Sequence, residues 1–253
     1  MLLPKSQVVA AVQFAPKLLD VQKNLALALQ LVFEAALKGA KLIVLPELCL
    51  SGFALRDPRE ASACAQVQDG YQTEAFRPVC ERFGCHVVFG YVELREGNLY
   101  NSAAIVGPCG LERSFQKHNL WGNDNVWAKP SEQQSGCVLT AAGRTGVLIC
   151  RDAMNTYRES YQLKTPRHKF YPRGSVDTIC LLAAWGGDYG YPDSAWVELV
   201  EESGSNVIVS NRYGNERDLR FKGGSAILDR QRRIYTYGSS FTSEAIVGGV
   251  VLL

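Results

Sequence analysis

Three side chains stand where strand-like stretches of chain end, and their types could together perform acyl transfer. Glu47 comes directly after an apolar run, Lys117 ends a stretch of alternating polar and apolar residues, and Cys150 ends a second apolar run just before Arg151 and Asp152. Sites in α/β proteins gather at the carboxyl ends of strands. These positions are therefore the first candidates for a functional site.

A thiol, a carboxylate and an ammonium supply the groups that thiol-based acyl transfer requires. A thiol attacks as thiolate and needs a base, and the oxyanion that forms needs a fixed cation or N–H donor. Taken singly, Cys150 has an ordinary explanation as a core thiol, Glu47 as a turn carboxylate and Lys117 as a solvated lysine. Taken as a set in this order, they favour catalysis.

The elements that must position these residues are strands and helices in alternation. Strands are predicted at residues 7–14, 41–46, 86–92, 99–106, 111–117, 146–150, 178–183, 206–211, 224–228 and 246–251, and helices from Asp20 to Gly39 and at 71–83, 155–163 and 194–203. Residues 107–110 form a turn between antiparallel neighbours. With no linker or repeat visible, residues 1–253 are expected to form one domain of α/β class, a four-layer α-β-β-α sandwich of two mixed sheets flanked by helices.

Composition excludes several classes of protein. The 27 basic and 25 acidic residues give a net charge of +2, so no overall field favours nucleic acid or an anionic membrane. The longest apolar runs fall far short of the ~20 residues that span a bilayer. The N-terminal segment is a poor secretory signal, which predicts a cytoplasmic location.

The eight cysteines form no pattern typical of disulfide scaffolds or zinc sites. They include no Cys-x-x-Cys pair, and His86, His118 and His168 are scattered along the chain. Most of these thiols are expected to be buried in the core. A protease of the Cys-His type is disfavoured, because no histidine has a recognisable active-site setting.

Several short motifs occur in a fixed order along the chain. They are VVAAVQF at residues 8–14, LPELCLSGF at 45–53, FQKHNL at 115–120, VLICRD at 147–152, Asn211-Arg212, and GGSAILD at 223–229. In these motifs the sequence resembles the carbon-nitrogen hydrolase (nitrilase) superfamily over nearly the whole chain. The joint order and spacing of the Pro-Glu-x-x-x-x-Gly-Phe and Cys-x-Asp motifs argue against a chance match.

The resemblance implies thiol-dependent hydrolysis of a carbon–nitrogen bond that requires no metal or organic cofactor. Cys150 would be the nucleophile, Glu47 the general base and later acid, and Lys117 the oxyanion donor. The backbone N–H of Arg151 would be the second donor. An amide would lose ammonia or an amine as the thioester forms, and water activated by Glu47 would then hydrolyse the thioester.

Two departures from the family pattern concern the pocket. Many amidase members carry a second glutamate soon after the lysine, and here Asp124 is the candidate for that role of positioning substrate or water, with a plain loop carboxylate as the alternative. The segment after Cys150 lacks the arginine and Pro-Glu that the family often has, so the pocket wall beside the nucleophile must differ. Trp121 and Trp185 are candidate wall residues, with core packing as the alternative.

Residues 164–173 gather five basic side chains among aromatic residues and prolines. A solvated loop is one interpretation. A lid that attracts an anionic substrate is the other.

These observations predict an amidohydrolase that acts on a small linear amide or N-carbamoyl compound. A nitrilase is the alternative within the same fold, and a catalytically weak scaffold that binds proteins is the alternative of another class. Selective labelling of a low-pKa Cys150 would favour the enzyme over the scaffold. The resemblance also implies a homodimer or larger homo-oligomer, and the expected partner is a small-molecule substrate, with no nucleic acid and no membrane.

Overall fold

Strands and short helices follow one another along the chain. The computed structural model describes residues 5–154, 163, 165–186, 193–231, 234–237 and 243–252. Within them the strands are β1 (Lys5–Gln13), β2 (Leu42–Val44), β3 (His86–Arg95), β4 (Asn98–Gly107), β5 (Gly110–Gln116), β6 (Val138–Thr140), β7 (Gly143–Ile149), β8 (Thr178–Ala183), β9 (Asn206–Asn211), β10 (Tyr213–Glu216), β11 (Leu219–Lys222), β12 (Ala226–Leu228), β13 (Ile234–Tyr237) and β14 (Glu244–Leu252). The helices are α1 (Val21–Leu37), α2 (Pro58–Cys64), α3 (Tyr71–Glu74), α4 (Arg77–Phe83), α5 (Asp124–Trp127) and α6 (Asp193–Ser203), with single 3-10 turns at Cys150–Ala153 and Arg167–Lys169. None of the helices in these ranges has the length and apolar character needed to cross a membrane.

Two six-stranded sheets hold the strands whose ends carry the candidate residues. The first has the order β14-β1-β2-β3-β4-β5 and the second the order β13-β12-β9-β8-β7-β6. β1, β2 and β3 are parallel, as are β7, β8 and β9, and their outer neighbours pair antiparallel. Both sheets are therefore mixed, as predicted.

Apolar side chains of the two sheets meet face to face in one buried cluster. Val44 and Ile105 of the first sheet belong to it together with Ile149 and Leu182 of the second. Helices α1 and α4 pack on the outer face of the first sheet, and α6 packs on the outer face of the second. The predicted four-layer α-β-β-α sandwich is confirmed, since each sheet buries one face on its partner and the other on helices.

Helix α1 begins and ends where the sequence predicts. The side chain of Asp20 accepts a hydrogen bond from the backbone N–H of Lys23, which satisfies one of the free donors of the first turn. After the helix, Gly39 adopts a φ of +90°, a conformation that glycine reaches without strain. The helix is thereby fixed against the first sheet.

The helix predicted over residues 71–83 is instead two helices. α3 ends at Glu74, and α4 begins at Arg77 with Pro78 in its first turn. A proline ring clashes with the carbonyl four residues earlier, which here belongs to Glu74, so one continuous helix cannot form. Helix α2 and the hairpin β10–β11 were not predicted, and most of the helix expected at residues 155–163 lies outside the described residues.

Candidate active site

Glu47 occupies a tight turn that packs directly on a neighbouring strand. The turn follows β2, and Leu48 within it adopts a φ of +45°. Gly90 of β3 permits the approach, because a Cβ at that position would lie 2.4 Å from the Leu48 nitrogen and 2.8 Å from the Glu47 Cα. The side chain of Glu47 is fully buried as a result.

Lys117 lies between two buried carboxylates. Its Nζ, just beyond the end of β5, is 2.6 Å from Oε1 of Glu47 and 2.7 Å from Oδ2 of Asp124, the first residue of α5. Asn101 of β4 donates from Nδ2 to Oε1 of Glu47 at 2.9 Å and lies 3.3 Å from Oδ2 of Asp124. The structure thus brings Glu47, Lys117 and Asp124 together and adds Asn101, which the sequence analysis missed.

The charges of this cluster shift one another's protonation. Burial alone would lower the pKa of Lys117, but the negative charges of Asp124 and Glu47 raise it well above its ordinary value. Burial also raises the pKa of Glu47, and the charge of Asp124 adds to that rise while the charge of Lys117 opposes it. The ammonium is therefore held charged, and the Glu47 carboxylate is a stronger base than a solvated one.

Strand β7 delivers Cys150 to the cluster in a strained conformation. Cys150 has a φ of +48°, which residues with a Cβ rarely adopt, and the chain then enters the 3-10 turn. The hydroxyl of Tyr171 supports the strand by accepting a hydrogen bond from the Val147 N–H at 2.8 Å. Gly146 makes room for it, because a Cβ there would lie 2.4 Å from the Tyr171 ring.

The surroundings of Cys150 favour the neutral thiol over the thiolate. Burial, reinforced by the charge of Glu47, raises the pKa of the Cys150 thiol although the charge of Lys117 acts to lower it. The direction is opposite to the low pKa expected from the sequence, because the thiol is buried and a carboxylate lies beside it as well as a cation. Oε2 of Glu47 is buried and accepts no hydrogen bond from the part of the chain that the structure describes.

Asp152 joins the segment of the nucleophile to the segment of the lysine. Its carboxyl accepts hydrogen bonds from the backbone N–H of Asn119 at 2.8 Å and of His118 at 3.4 Å. Burial raises the pKa of Asp152 to about 7, against the hydrogen bond from Asn119 and the charge of Lys117, which lower it. Asp152 thus holds the segment after β5 against the segment after β7.

The other predicted site residues lie on segments that flank the cluster. The guanidinium of Arg151 donates to the carbonyl of Leu120 at 3.2 Å and lies 6.0 Å from the ring of Trp121. Trp121 is 40% exposed, so core packing does not account for it. Trp185, after β8, is half-buried, and its backbone N–H donates to Oδ1 of Asn211 at 2.8 Å.

The basic segment, for which a solvated loop and a lid are the two interpretations, is described over residues 165–173. Arg167 is buried, and its guanidinium pairs with Glu202 of α6 at 2.5 Å. Arg173 donates to the backbone carbonyl of Glu201 on the same helix. These cations are tied to the outer layer of the second sheet, so the lid interpretation is wrong for them; Lys164 lies outside the described residues.

The sequence analysis missed three buried polar residues. Asn101 lies on β4 before its apolar half, and Arg212 and Glu216 are buried although charged. Buried charges are rarely found unpaired. Among the described residues, no group of three or more His, Cys, Asp or Glu side chains is placed to hold a metal ion.

A family model described as carbon-nitrogen hydrolase matches residues 8–251. The chain belongs to the carbon-nitrogen hydrolase family. The resemblance read from the motifs is therefore confirmed, and the protein is an enzyme of the carbon-nitrogen hydrolase type.

Relatives of this carbon-nitrogen hydrolase carry the names of both amidases and nitrilases. A nitrilase of Pyrococcus abyssi is 28% identical over 254 residues, covering 96% of this chain and 89% of its own. A protein N-terminal amidase of Schizosaccharomyces pombe is 27% identical over 267 residues, covering 86% and 89%. The solved structure of an amidase from Nesterenkonia sp. AN1, with acrylamide added to its active-site cysteine, has the same fold, with a TM-score of 0.78, 19% identity and coverage of 98% and 93%.

The raised pKa of Asp152 predicts a pH-dependent contribution to stability. An unfolded aspartate ionises near pH ~4 and the folded Asp152 near 7, so the protein loses stability as pH rises through this interval. Asp152→Asn has no group that titrates in this interval, so its stability does not fall in this way. The difference in free energy of unfolding between the native protein and Asp152→Asn should therefore shrink by about 1 kcal/mol per pH unit between about pH 5 and about pH 7. Denaturant unfolding at several pH values measures it.

Asp177→Asn is the matched control for this measurement. Burial acts to raise the pKa of Asp177, but hydrogen bonds from the backbone and side chain of Arg144 outweigh it and the pKa is lowered. Its stabilisation is lost only at lower pH, so Asp177→Asn should show no slope in the same interval. A destabilisation by Asp152→Asn that stays constant or grows with pH contradicts the assignment.

Proposed function

We propose that this carbon-nitrogen hydrolase cleaves a small linear amide or N-carbamoyl compound through a thioester on Cys150. The observation that carries the proposal is the buried cluster of Glu47, Lys117 and Asp124 beside the thiol of Cys150. In it Glu47 is the base, Lys117 the oxyanion donor and Cys150 the nucleophile. Residues 1–253 would act as one catalytic domain.

The attack conserves the charge of the cluster. At rest the two carboxylates and the ammonium carry one net negative charge, and the Cys150 thiol adds none. As sulfur bonds to the substrate carbon, the thiol proton moves to Glu47 and the negative charge appears on the substrate oxygen. Glu47 is then neutral, and the ammonium of Lys117 interacts with the negative substrate oxygen instead. This interaction arises only as the transition state forms.

The collapse of the tetrahedral intermediate returns the proton. The carbon–nitrogen bond breaks, Glu47 gives its proton to the departing nitrogen, and ammonia or an amine leaves a thioester on Cys150. Water then gives a proton to Glu47 and attacks the thioester carbon, and the proton finally returns to the sulfur as the acid departs. Each step uses Glu47 alternately as base and acid, so its raised pKa suits both roles.

The bend at Cys150 supports a second oxyanion donor. The N–H of Arg151 follows the positive φ of the nucleophile and lies at the start of the 3-10 turn. It would complement the ammonium of Lys117. Two donors are the usual requirement for stabilising a tetrahedral oxyanion.

Asp124 is proposed to hold the lysine and to accept from the substrate nitrogen or the attacking water. Its distance of 2.7 Å from Lys117 Nζ supports the first role. A carboxylate that accepts N–H protons favours an amide over a nitrile, which offers none. Trp121, Trp185 and the side chain of Arg151 are proposed as walls of the pocket.

A nitrile is the second candidate substrate, favoured by the 28% identical relative named as a nitrilase. Cys150 would then attack the nitrile carbon with the same base. A weak scaffold is opposed by the intact cluster. We further propose a homodimer or larger homo-oligomer, for which the family resemblance is the support, and a cytoplasmic location.

Ammonia release over a panel of small amides, N-carbamoyl compounds and nitriles tests the proposed function. We expect turnover of an amide or carbamoyl compound and a thioester on Cys150 by mass spectrometry. Cys150→Ala should abolish both while leaving the fold intact. Release from nitriles alone, or full activity in Cys150→Ala, contradicts the proposal.

Cys180→Ala serves as the matched control for Cys150→Ala. Cys180 is equally buried, in β8, and burial raises the pKa of its thiol as well. Its replacement should lower the free energy of unfolding by about 1 kcal/mol. Turnover per folded molecule should stay unchanged.

Glu47→Gln and Lys117→Ala test the assigned roles separately. Glu47→Gln keeps size and removes the base, so formation of the thioester should slow by the ~10²–10⁴ typical of general-base loss. Lys117→Ala should raise the barrier by about 2.7–4 kcal/mol, the usual worth of one oxyanion donor. Single-turnover kinetics measure both, with Glu112→Gln, which replaces an exposed carboxylate on β5, as the control that keeps normal rates. Near-normal rates in Glu47→Gln and Lys117→Ala would make these residues structural.

A further inference from the structure

The hairpin β10–β11 lies outside the two large sheets and holds Phe53 and Ala54 by their backbone. Oε1 of Glu216 accepts hydrogen bonds from the N–H groups of Phe53 at 2.7 Å and Ala54 at 2.5 Å. The carboxylate also forms a buried ion pair with Arg212. A buried charge with three strong partners is a rigid attachment point.

The local sequence is adapted to this attachment. Gly52 adopts a φ of +82°, and a Cβ there would lie 2.9 Å from Oε2 of Glu216 and 2.8 Å from the Cα of Leu18. The side chain of Arg217 also donates to the backbone carbonyl of Ala54. The hairpin therefore fixes both the donor and the acceptor groups of this loop.

Aromatic side chains connect the hairpin to the neighbourhood of the buried cluster of Glu47, Lys117 and Asp124. The guanidinium of Arg212 lies 4.2 Å from the centroid of Phe221 on β11, and Phe221 meets Phe53 edge to face with centroids 5.8 Å apart. Phe221 also pairs through its backbone with Gly186, just after β8. One hairpin thus touches the segment after Glu47 and the segment after β8.

Phe53 in turn faces the lysine. The Nζ of Lys117 lies 5.9 Å from the centroid of the Phe53 ring, within the range of a cation–π contact. The ring leaves little room for water on that side of the ammonium, because Phe53 is itself almost fully buried. When Glu47 accepts the thiol proton, the ring remains as a contact of the ammonium that does not change charge.

We propose that Glu216 is a positioning residue that acts through Phe53, holding its ring against Lys117 so that the ammonium stays directed at the substrate oxygen. This inference rests on the proposed function of Lys117 as oxyanion donor. Arg212, directly before the hairpin, holds the carboxylate of Glu216, which lies on β10. Misplacement of such a positioning group by about 1 Å costs on the order of 100-fold in rate.

A double-mutant cycle tests the coupling between Glu216 and Phe53. Glu216→Gln should lower kcat by about tenfold or more with a smaller change in KM, because oxyanion stabilisation acts on the transition state. In a Phe53→Ala background the same substitution should lower kcat by less than about twofold, since the ring to be positioned is absent. Effects that multiply independently overturn the proposal.

Two further variants keep the test decisive. If Glu216→Gln fails to fold because Arg212 is left unpaired, the cycle is run with Glu216→Gln and Arg212→Leu together, and the same coupling is expected. Phe53→Ala alone should lower kcat by about tenfold or more. Near-normal kcat in Phe53→Ala overturns the proposal whatever the hairpin variants do.

Alkylation of Cys150 by iodoacetamide, followed by mass spectrometry, separates this inference from the proposed function. Glu216→Gln should change the alkylation rate in the native background and not in Phe53→Ala. If no compound of the panel is hydrolysed but this coupling is found, the substrate class is wrong and the positioning role stands. Glu202→Gln, which breaks the distant ion pair with Arg167, should leave kcat and alkylation unchanged.

Discussion

A buried ammonium held between two carboxylates is the constraint on which this site depends. Removing one partner of such a group leaves an uncompensated charge in the interior, at a cost of several kcal/mol. Lys117 can therefore be buried only where Glu47 and Asp124 both reach it. The turn after β2, the end of β5 and the start of α5 must converge, and Asn101 of β4 joins the two carboxylates from the sheet itself.

The convergence explains several local features that would otherwise destabilise the chain. The positive φ values of Leu48 and Cys150 each store strain of about 1–3 kcal/mol, and both lie at the cluster. Gly90 has no side chain in the middle of β3, and this allows the Glu47 turn to pack on the strand. Burial of the two sheets against each other offsets these costs. The fold is therefore stable with a strained and charged site at the ends of its strands.

The sequence predicted the fold class and most strands because strand signals are local. Glu47, Lys117 and Cys150 could be singled out for the same reason, since each lies at or directly after the end of a predicted strand. Asn101 and Glu216 could not, because Glu216 meets Phe53 across 163 residues of chain and only the folded register joins them. The low pKa expected for Cys150 did not allow for burial of the thiol or for the charge of Glu47, both of which raise it. The break at Pro78 was a local signal that was not used.

The most direct test of the account is whether Cys150 is protonated at rest. The ultraviolet absorbance of thiolate, compared between the native protein and Cys150→Ser from about pH 6 to about pH 9, isolates this one thiol from the other seven. The account predicts no thiolate difference over that range, because burial and Glu47 raise the pKa of Cys150. A thiolate signal from Cys150 already present at neutral pH would contradict deprotonation by Glu47 during the attack.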